Sequence, residues 1–105
     1  MNDIDFIDCI EALKRLVAVS HHDTGQAARV RGFLLAWWNG RRDGGFDLAN
    51  LWAVDTCLKV DMLRVISLIA SRPGVYPNEY VARENFEAFV KMNKREKRRR
   101  HRSRS

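Results

Sequence analysis

Apolar residues recur at three- and four-residue steps through most of this chain, the spacing of amphipathic helices rather than strands. Ile7, Ile10, Leu13, Leu16 and Val17, widened by Phe6 and Cys9, predict a first helix over Ile4–Val19. Asp3 and Asp5 stand where the free N–H groups of a first turn attract negative charge, and Lys14-Arg15 lie toward the other end. The polar run Ser20-His21-His22-Asp23 ends this helix. Asp23 or Thr24 caps the next, with Asp23 and Gln26 spaced as in a capping box. Val30, Phe33, Leu34, Trp37 and Trp38 form its apolar side, and Arg29 and Arg31 fall partly off that side. Asn39-Gly40 predicts its end, because both residue types tolerate left-handed backbone.

A short glycine-rich loop, Gly40-Arg41-Arg42-Asp43-Gly44-Gly45, follows, and Phe46 is expected to plug the core as the chain returns. Asp47 caps a short helix over Leu48–Ala53, anchored by Leu51 and Trp52. Asp55 caps a longer one over Thr56–Ser71, with Leu58, Met62, Val65, Ile66 and Ile69 along its stripe. Arg72-Pro73-Gly74 stops that helix, since proline donates no backbone hydrogen bond and disfavours helix in the residue before it. Val75-Tyr76-Pro77 reads as an extended connector. A last helix starts between Asn78 and Arg83, turns Tyr80, Val81, Phe86, Phe89 and Val90 inward, and runs toward the C-terminus. The expected fold is all-α: a small irregular bundle of four main helices plus one short helix, with a disordered or frayed basic C-terminal tail.

Charge sharpens this division. Lys91–Ser105 holds nine Lys/Arg and one Glu, a net +8, whereas the whole chain is +6, so residues 1–90 carry −2. Residues 1–90 are read as an α-helical domain and residues 91–105 as a basic tail. Like charges in such a run repel and bury little, so the tail stays solvated until a polyanion meets it. Lys94, Arg95, Lys97, Arg98, Arg99, Arg100, Arg102 and Arg104 are the candidate nucleic-acid-binding residues, neutralising DNA or RNA phosphates without reading sequence. The tail contains no aromatic side chain on which bases could stack. An acidic protein surface is an alternative partner.

The central block carries a resemblance. Thr24-Gly25-Gln26, Leu34-Leu35-Ala36-Trp37-Trp38-Asn39, Gly44-Gly45-Phe46-Asp47, Leu51-Trp52-Ala53-Val54-Asp55 and Tyr76-Pro77 occur in order. They resemble a family of small bacterial proteins of unknown function associated with plasmids, phages and integrated elements. The resemblance covers roughly Leu13 to Tyr80. It implies a bacterial cytosolic setting and a mobile-element origin; it implies no reaction and adds nothing about the tail.

Candidate chemistry elsewhere is thin. His21-His22-Asp23 resembles a ligand cluster, but adjacent histidines on a short linker point apart and zinc needs four converging donors, so no metal is expected. Asp43, Asp47, Asp55, Asp61 and Glu79 are the candidate carboxylates; catalysis would require two of them facing each other with shifted acidities, and helix capping accounts for Asp47 and Asp55. Ser20, Ser67 and Ser71 lack a nucleophile-elbow context. The glycines are followed by no Gly-Lys-Ser/Thr phosphate loop. Neither an enzyme nor a cofactor is expected. Cys9 and Cys57 read as small buried hydrophobes. The acidic start lacks the basic region of a signal peptide, and no apolar run reaches a membrane span, so a cytoplasmic protein with reduced thiols is expected.

Trp37 and Trp38 are about 100° apart around a helix, so both cannot occupy the centre of one stripe. With Arg41, Arg42, Phe46 and Trp52 they form a candidate partner surface, suited to a host protein or to a second copy in a homodimer. Two functions follow. The first is a non-enzymatic accessory protein of a bacterial mobile element that binds nucleic acid non-specifically through its tail. The second is a protein-interaction module or inhibitor of a host complex, acting through Trp37–Phe46.

Overall fold

A computed structural model describes the backbone of residues 3–103 and the side chains of residues 5–99. Over that range the chain is all-α. Four α-helices, α1 (Asp3–Ser20), α2 (Gly25–Asp43), α3 (Thr56–Ser71) and α4 (Glu84–Ser103), are joined by two short 3₁₀ segments, Leu48–Ala53 and Pro77–Glu79. The expected irregular bundle is observed. Helix α1 packs against both α2 and α3, and α4 packs against α2.

The core follows the helical period. Ala12, Leu13, Leu16 and Val17 of α1 meet Val30, Phe33, Leu34 and Leu35 of α2, Met62 and Val65 of α3, and Phe86 and Phe89 of α4. Each fully buried large apolar side chain contributes about 1.5–3 kcal/mol relative to exposure. The first helix keeps most of its expected stripe, with Cys9, Leu13, Leu16 and Val17 buried, but Ile7 is exposed and Ala12 joins the inner positions. Helix α1 meets two neighbours at once, and its buried face tracks the line between them. Cys57 is exposed on α3, contrary to the expectation of a buried thiol. It lies in the first turn, where Asp55, Thr56 and Cys57 all face solvent.

The C-terminal end of α2 and the start of α4 differ from expectation. Helix α2 passes Asn39 and stops at Gly44, whose φ of 92° suits glycine. Asn39 leaves helical geometry, yet its Oδ1 accepts the Arg42 N–H at 3.3 Å, so the residue that kinks the helix also caps a further turn. At the other end Thr24, one of the two expected caps, accepts the Ala27 N–H at 3.1 Å, and the capping-box pairing of Asp23 with Gln26 does not form. Gln26 instead reaches Asp55: its Oε1 accepts the Asp55 N–H and its Nε2 donates to Asp55 Oδ2. Helix α4 begins at Glu84, one residue beyond the expected window, and Tyr80 and Val81 pack on the core from the connector before it.

The basic stretch from Lys91 is helical as the direct continuation of α4 through Ser103. Lys and Arg are good helix formers, and the helix is already nucleated by its packed first half. Repulsion between like charges four residues apart is worth only a few tenths of a kcal/mol per pair, too little to unwind it. Arg100 is helical, Arg102 lies in the last described turn, and Arg104 lies outside the described residues.

Candidate nucleic-acid interface

Buried Arg31 fixes the basic helix against the bundle. Its Nη1 donates to the carbonyls of Ser20 at 2.7 Å and His22 at 3.2 Å, satisfying the C-terminal end of α1. Its Nε donates to Asn93 Oδ1 at 3.1 Å, and its Nη2 stands 3.7 Å from Glu96. Burial pushes the guanidinium pKa down from its usual value, and the charges of Glu96 and Asp23 oppose that shift. One cation therefore joins α1, α2 and α4. Arg31, expected partly off the apolar side, lies within it: Ala27, Val30, Arg31 and Leu34 share one buried helical stripe. Its partners were not legible in the sequence, because Asn93 and Glu96 lie more than sixty residues away.

Three adjoining clefts follow the seam between α2 and α4. The first, about 200 Å³, is lined by Arg42, Asp43, Lys94 and Lys97. The middle one, about 490 Å³, is lined by Arg29, Asn50, Asn93, Glu96 and Lys97, with Gly25, Ala28 and Gly32 along its α2 side. The third, about 330 Å³, is lined by Asp23, Thr24, Arg95, Glu96 and Arg99. Asn93 and Lys97 are common to the first two, and Gly25, Ala28 and Glu96 to the last two, so the clefts form one trough. A Cβ added at Gly32 would meet nothing within 4 Å, which shows how open the α2 side is there.

The trough is electropositive. Of its carboxylates, Asp43 accepts two hydrogen bonds from Arg42 at 3.0 Å, and Glu96 and Asp23 face Arg31. Lys94, Arg95, Lys97 and Arg99 are exposed, with no ion-pair partner among the described residues. The fold thus places four of the proposed tail residues along one seam with Arg29 and Arg42, which sequence reasoning had set apart from them. Arg98 is exposed on the same helix; the side chains of Arg100, Arg102 and Arg104 lie outside the described residues.

The aromatic and arginine surface proposed from Trp37 to Trp52 divides. Trp37 packs on the core and donates from Nε1 to the Val75 carbonyl at 3.2 Å. Trp38 stacks on Phe86 with ring centroids 5.5 Å apart, and Arg42 covers its ring at 5.1 Å. Phe46 meets Phe33 edge to face at 5.3 Å, as its plugging role required. Trp52 does not anchor its 3₁₀ segment: it is 85% exposed, and Leu48 is 68% exposed. Leu51 alone of that apolar trio packs on the core. Arg41 is exposed at the end of α2.

The remaining polar candidates serve the fold. Asp47 caps the first 3₁₀ segment by accepting the Ala49 N–H at 3.0 Å. Asp61 is buried and accepts from Arg15 Nε at 2.9 Å, from Arg15 Nη2 at 3.0 Å and from Arg64 at 3.0 Å. The bonds from Arg15 and then Arg64 hold its pKa below the ordinary carboxylate value against the opposing effect of burial. Glu79 is exposed. Ser20 and Ser67 donate to carbonyls four residues back. His21 packs on Phe89 at 4.7 Å and its Nε2 lies 2.7 Å from Asn85 Oδ1, and His22 is exposed. Among the described residues, no three metal-binding side chains converge. No described helix is long and apolar enough to cross a membrane.

The model of a family of unknown function, DUF7673, matches residues 10–94, so the chain belongs to that family. No curated protein and no solved structure matches it.

Proposed function

We propose that this member of the family is a non-enzymatic nucleic-acid-binding protein whose phosphate-binding surface is the α2–α4 trough and the basic face of α4. One observation carries the reading: Lys94, Arg95, Lys97 and Arg99, together with Arg29, line a single continuous seam. A polyanion laid along it meets cations at each step, and every displaced counterion adds affinity that weakens with salt. Docking of Glu96 on Arg31 gives the cations a fixed helical spacing rather than the loose array of an unstructured arm. Arginine adds bidentate hydrogen bonds to phosphate where the geometry allows. The bacterial mobile-element setting, with a cytoplasmic location, rests on the resemblance of the central motifs.

The test keeps Glu96 in place, because a truncation would also remove the partner of Arg31. Replacing Lys94, Arg95, Lys97, Arg98 and Arg99 by Gln should leave the helical fold intact and reduce binding of a labelled oligonucleotide at low salt at least tenfold. Unchanged binding by that variant refutes the assignment.

A second reading, a protein-interaction module, draws support from exposed Leu48 and Trp52, since tryptophan is a common interface anchor. On this reading a partner captured from lysate survives nuclease treatment and is lost in the Trp52→Ala variant.

A further inference from the structure

We infer that the protein pairs with a second copy of itself through the outer face of α3, the two α3 helices running antiparallel about a two-fold axis. Helix α3 is apolar on two opposite sides. Leu58, Met62, Val65 and Leu68 turn toward the bundle. Thr56, Val60, Leu63, Ser67 and Ala70 all face solvent, with Val60 40% and Leu63 51% exposed. Their spacing alternates between four and three residues, which keeps them within about 80° of one another, the seam by which one helix packs along another. Val60 also edges an open cleft of about 780 Å³ between α1 and α3, whose apolar side includes Ala18, Val19 and Leu58. The charged groups of that cleft satisfy one another, since Asp61 accepts from Arg15 and Arg64.

The order of residues along the seam identifies the occupant as a second copy. Thr56, Val60, Leu63 and Ser67 run polar, apolar, apolar, polar, so the seam reads alike in both directions. A two-fold axis midway between Val60 and Leu63 sets Val60 against the partner's Leu63 and Thr56 against the partner's Ser67, as a self-complementary interface requires. The Ser67 hydroxyl donates to the Leu63 carbonyl at 3.2 Å, so its oxygen is left to accept from the partner's Thr56. Charge selects the same orientation. In the antiparallel register Lys59 comes opposite the partner's Ile66, and Arg64 opposite the partner's Cys57, so neither meets a like charge. A parallel pair would bring Lys59 beside the partner's Arg64, two cations at flanking positions where opposite charges are needed.

This seam is separate from the surface of Trp37, Trp38 and Trp52. None of its residues lines the α2–α4 trough, so pairing leaves that trough open in both copies. One pair of helices is a small interface, at the low end of specific contacts, so monomer and dimer should exchange in the micromolar range.

The test is sedimentation equilibrium of the full-length protein after nuclease treatment, at about 0.5 M salt so that no polyanion bridges the copies. Over roughly 1–300 µM the average mass should rise from that of the 12.2 kDa monomer toward twice that value. Leu63→Lys adds a cation near Lys59 and Arg64 of both copies and should weaken association at least about tenfold. Because Leu63 is half exposed, this variant keeps the fold. Trp52→Ala should leave the association unchanged. Orientation is read separately, in a Cys57→Ser background; Cys9 is buried and does not compete. Thr56→Cys protein mixed with Ser67→Cys protein under mild oxidation should give the mixed disulfide in excess of either self-pair, since only that combination brings the two sulfurs within bonding reach. A monomer at every concentration leaves this face to some other partner and overturns the inference. So does a dimer that survives Leu63→Lys or is lost in Trp52→Ala, or a preponderance of self-paired disulfides.

Discussion

The guanidinium of Arg31, only 2% exposed, lies 3.7 Å from the carboxylate of Glu96, the single acid in the stretch Lys91–Ser105. That stretch is otherwise built of cations and polar residues apart from Met92, so this acid fixes which face of the basic helix meets the bundle. The pair turns a charged terminus into a positioned surface. Removing one partner of such an arrangement costs more than the interaction contributes, because the other buried groups lose their hydrogen bonds. Arg31→Met should lower stability by about 2–3 kcal/mol in urea unfolding, read as a shift in midpoint. Glu96→Gln should cost about 1 kcal/mol or less, since Glu96 is 35% exposed and Arg31 keeps three other acceptors.

Asp61 gives the fold an acid-sensitive joint between α1 and α3. Its native pKa lies below its unfolded value because Arg15 and Arg64 bind the ionised form. The unfolded chain therefore takes up this proton first as pH falls. The contribution is complete above the ordinary carboxylate value of 3.8 and is lost as pH drops through the depressed one. Asp61→Asn should cost on the order of 1–2 kcal/mol at neutral pH. Unfolding midpoints compared at about pH 6 and about pH 3 should show a smaller acid-induced loss in the variant than in the parent protein.

Gly40 and Gly44 bracket the last turn of α2 but answer to different constraints. Gly44 has φ of 92°, where an L side chain is strained, and its N–H donates to the Gly40 carbonyl at 3.0 Å. Gly44→Ala should destabilise by about 1 kcal/mol or more. Gly40 lacks positive φ, and a Cβ there meets nothing within 4 Å. Gly40→Ala should stabilise by roughly 0.5–1 kcal/mol, through helix propensity and a less flexible unfolded chain. Thermal unfolding of the two variants should move in opposite directions.

The tryptophans should separate optically. Trp52 is 85% exposed, whereas Trp37 and Trp38 are half-buried against the core. Acrylamide should quench one fraction of the emission readily and the rest weakly. Trp52→Phe should remove most of the readily quenched fraction.

Residues whose role is set by near neighbours were legible from sequence. The 3.6-residue spacing locates all four α-helices, Asp47 caps where a cap is expected, and the limits of α3 and of the first 3₁₀ segment agree with the reading, whereas the 3₁₀ turn Pro77–Glu79 is not foreseen and Asp55 makes no side-chain cap bond. Residues whose role is set by distant partners were not. A lone cation at the edge of an apolar stripe gives no hint that it collects carbonyls from one helix and side chains from another, as Arg31 does. Large aromatics usually bury, which makes Trp52 look like an anchor in the sequence; Leu51 fills that place and leaves the indole outside. The trough itself depends on how close α4 lies to the small residues Gly25, Ala28 and Gly32, a matter of packing that no local pattern encodes.

Salt dependence of nucleic-acid binding tests the central claim most directly. If the exposed cations of the α2–α4 seam contact phosphates, the logarithm of the association constant should fall linearly with the logarithm of salt concentration. Four to six such contacts imply a slope of about −3 to −5. The Gln-substituted helix should flatten that slope toward zero. Binding by the full-length protein that is indifferent to salt, or a slope unchanged by those substitutions, would contradict the account.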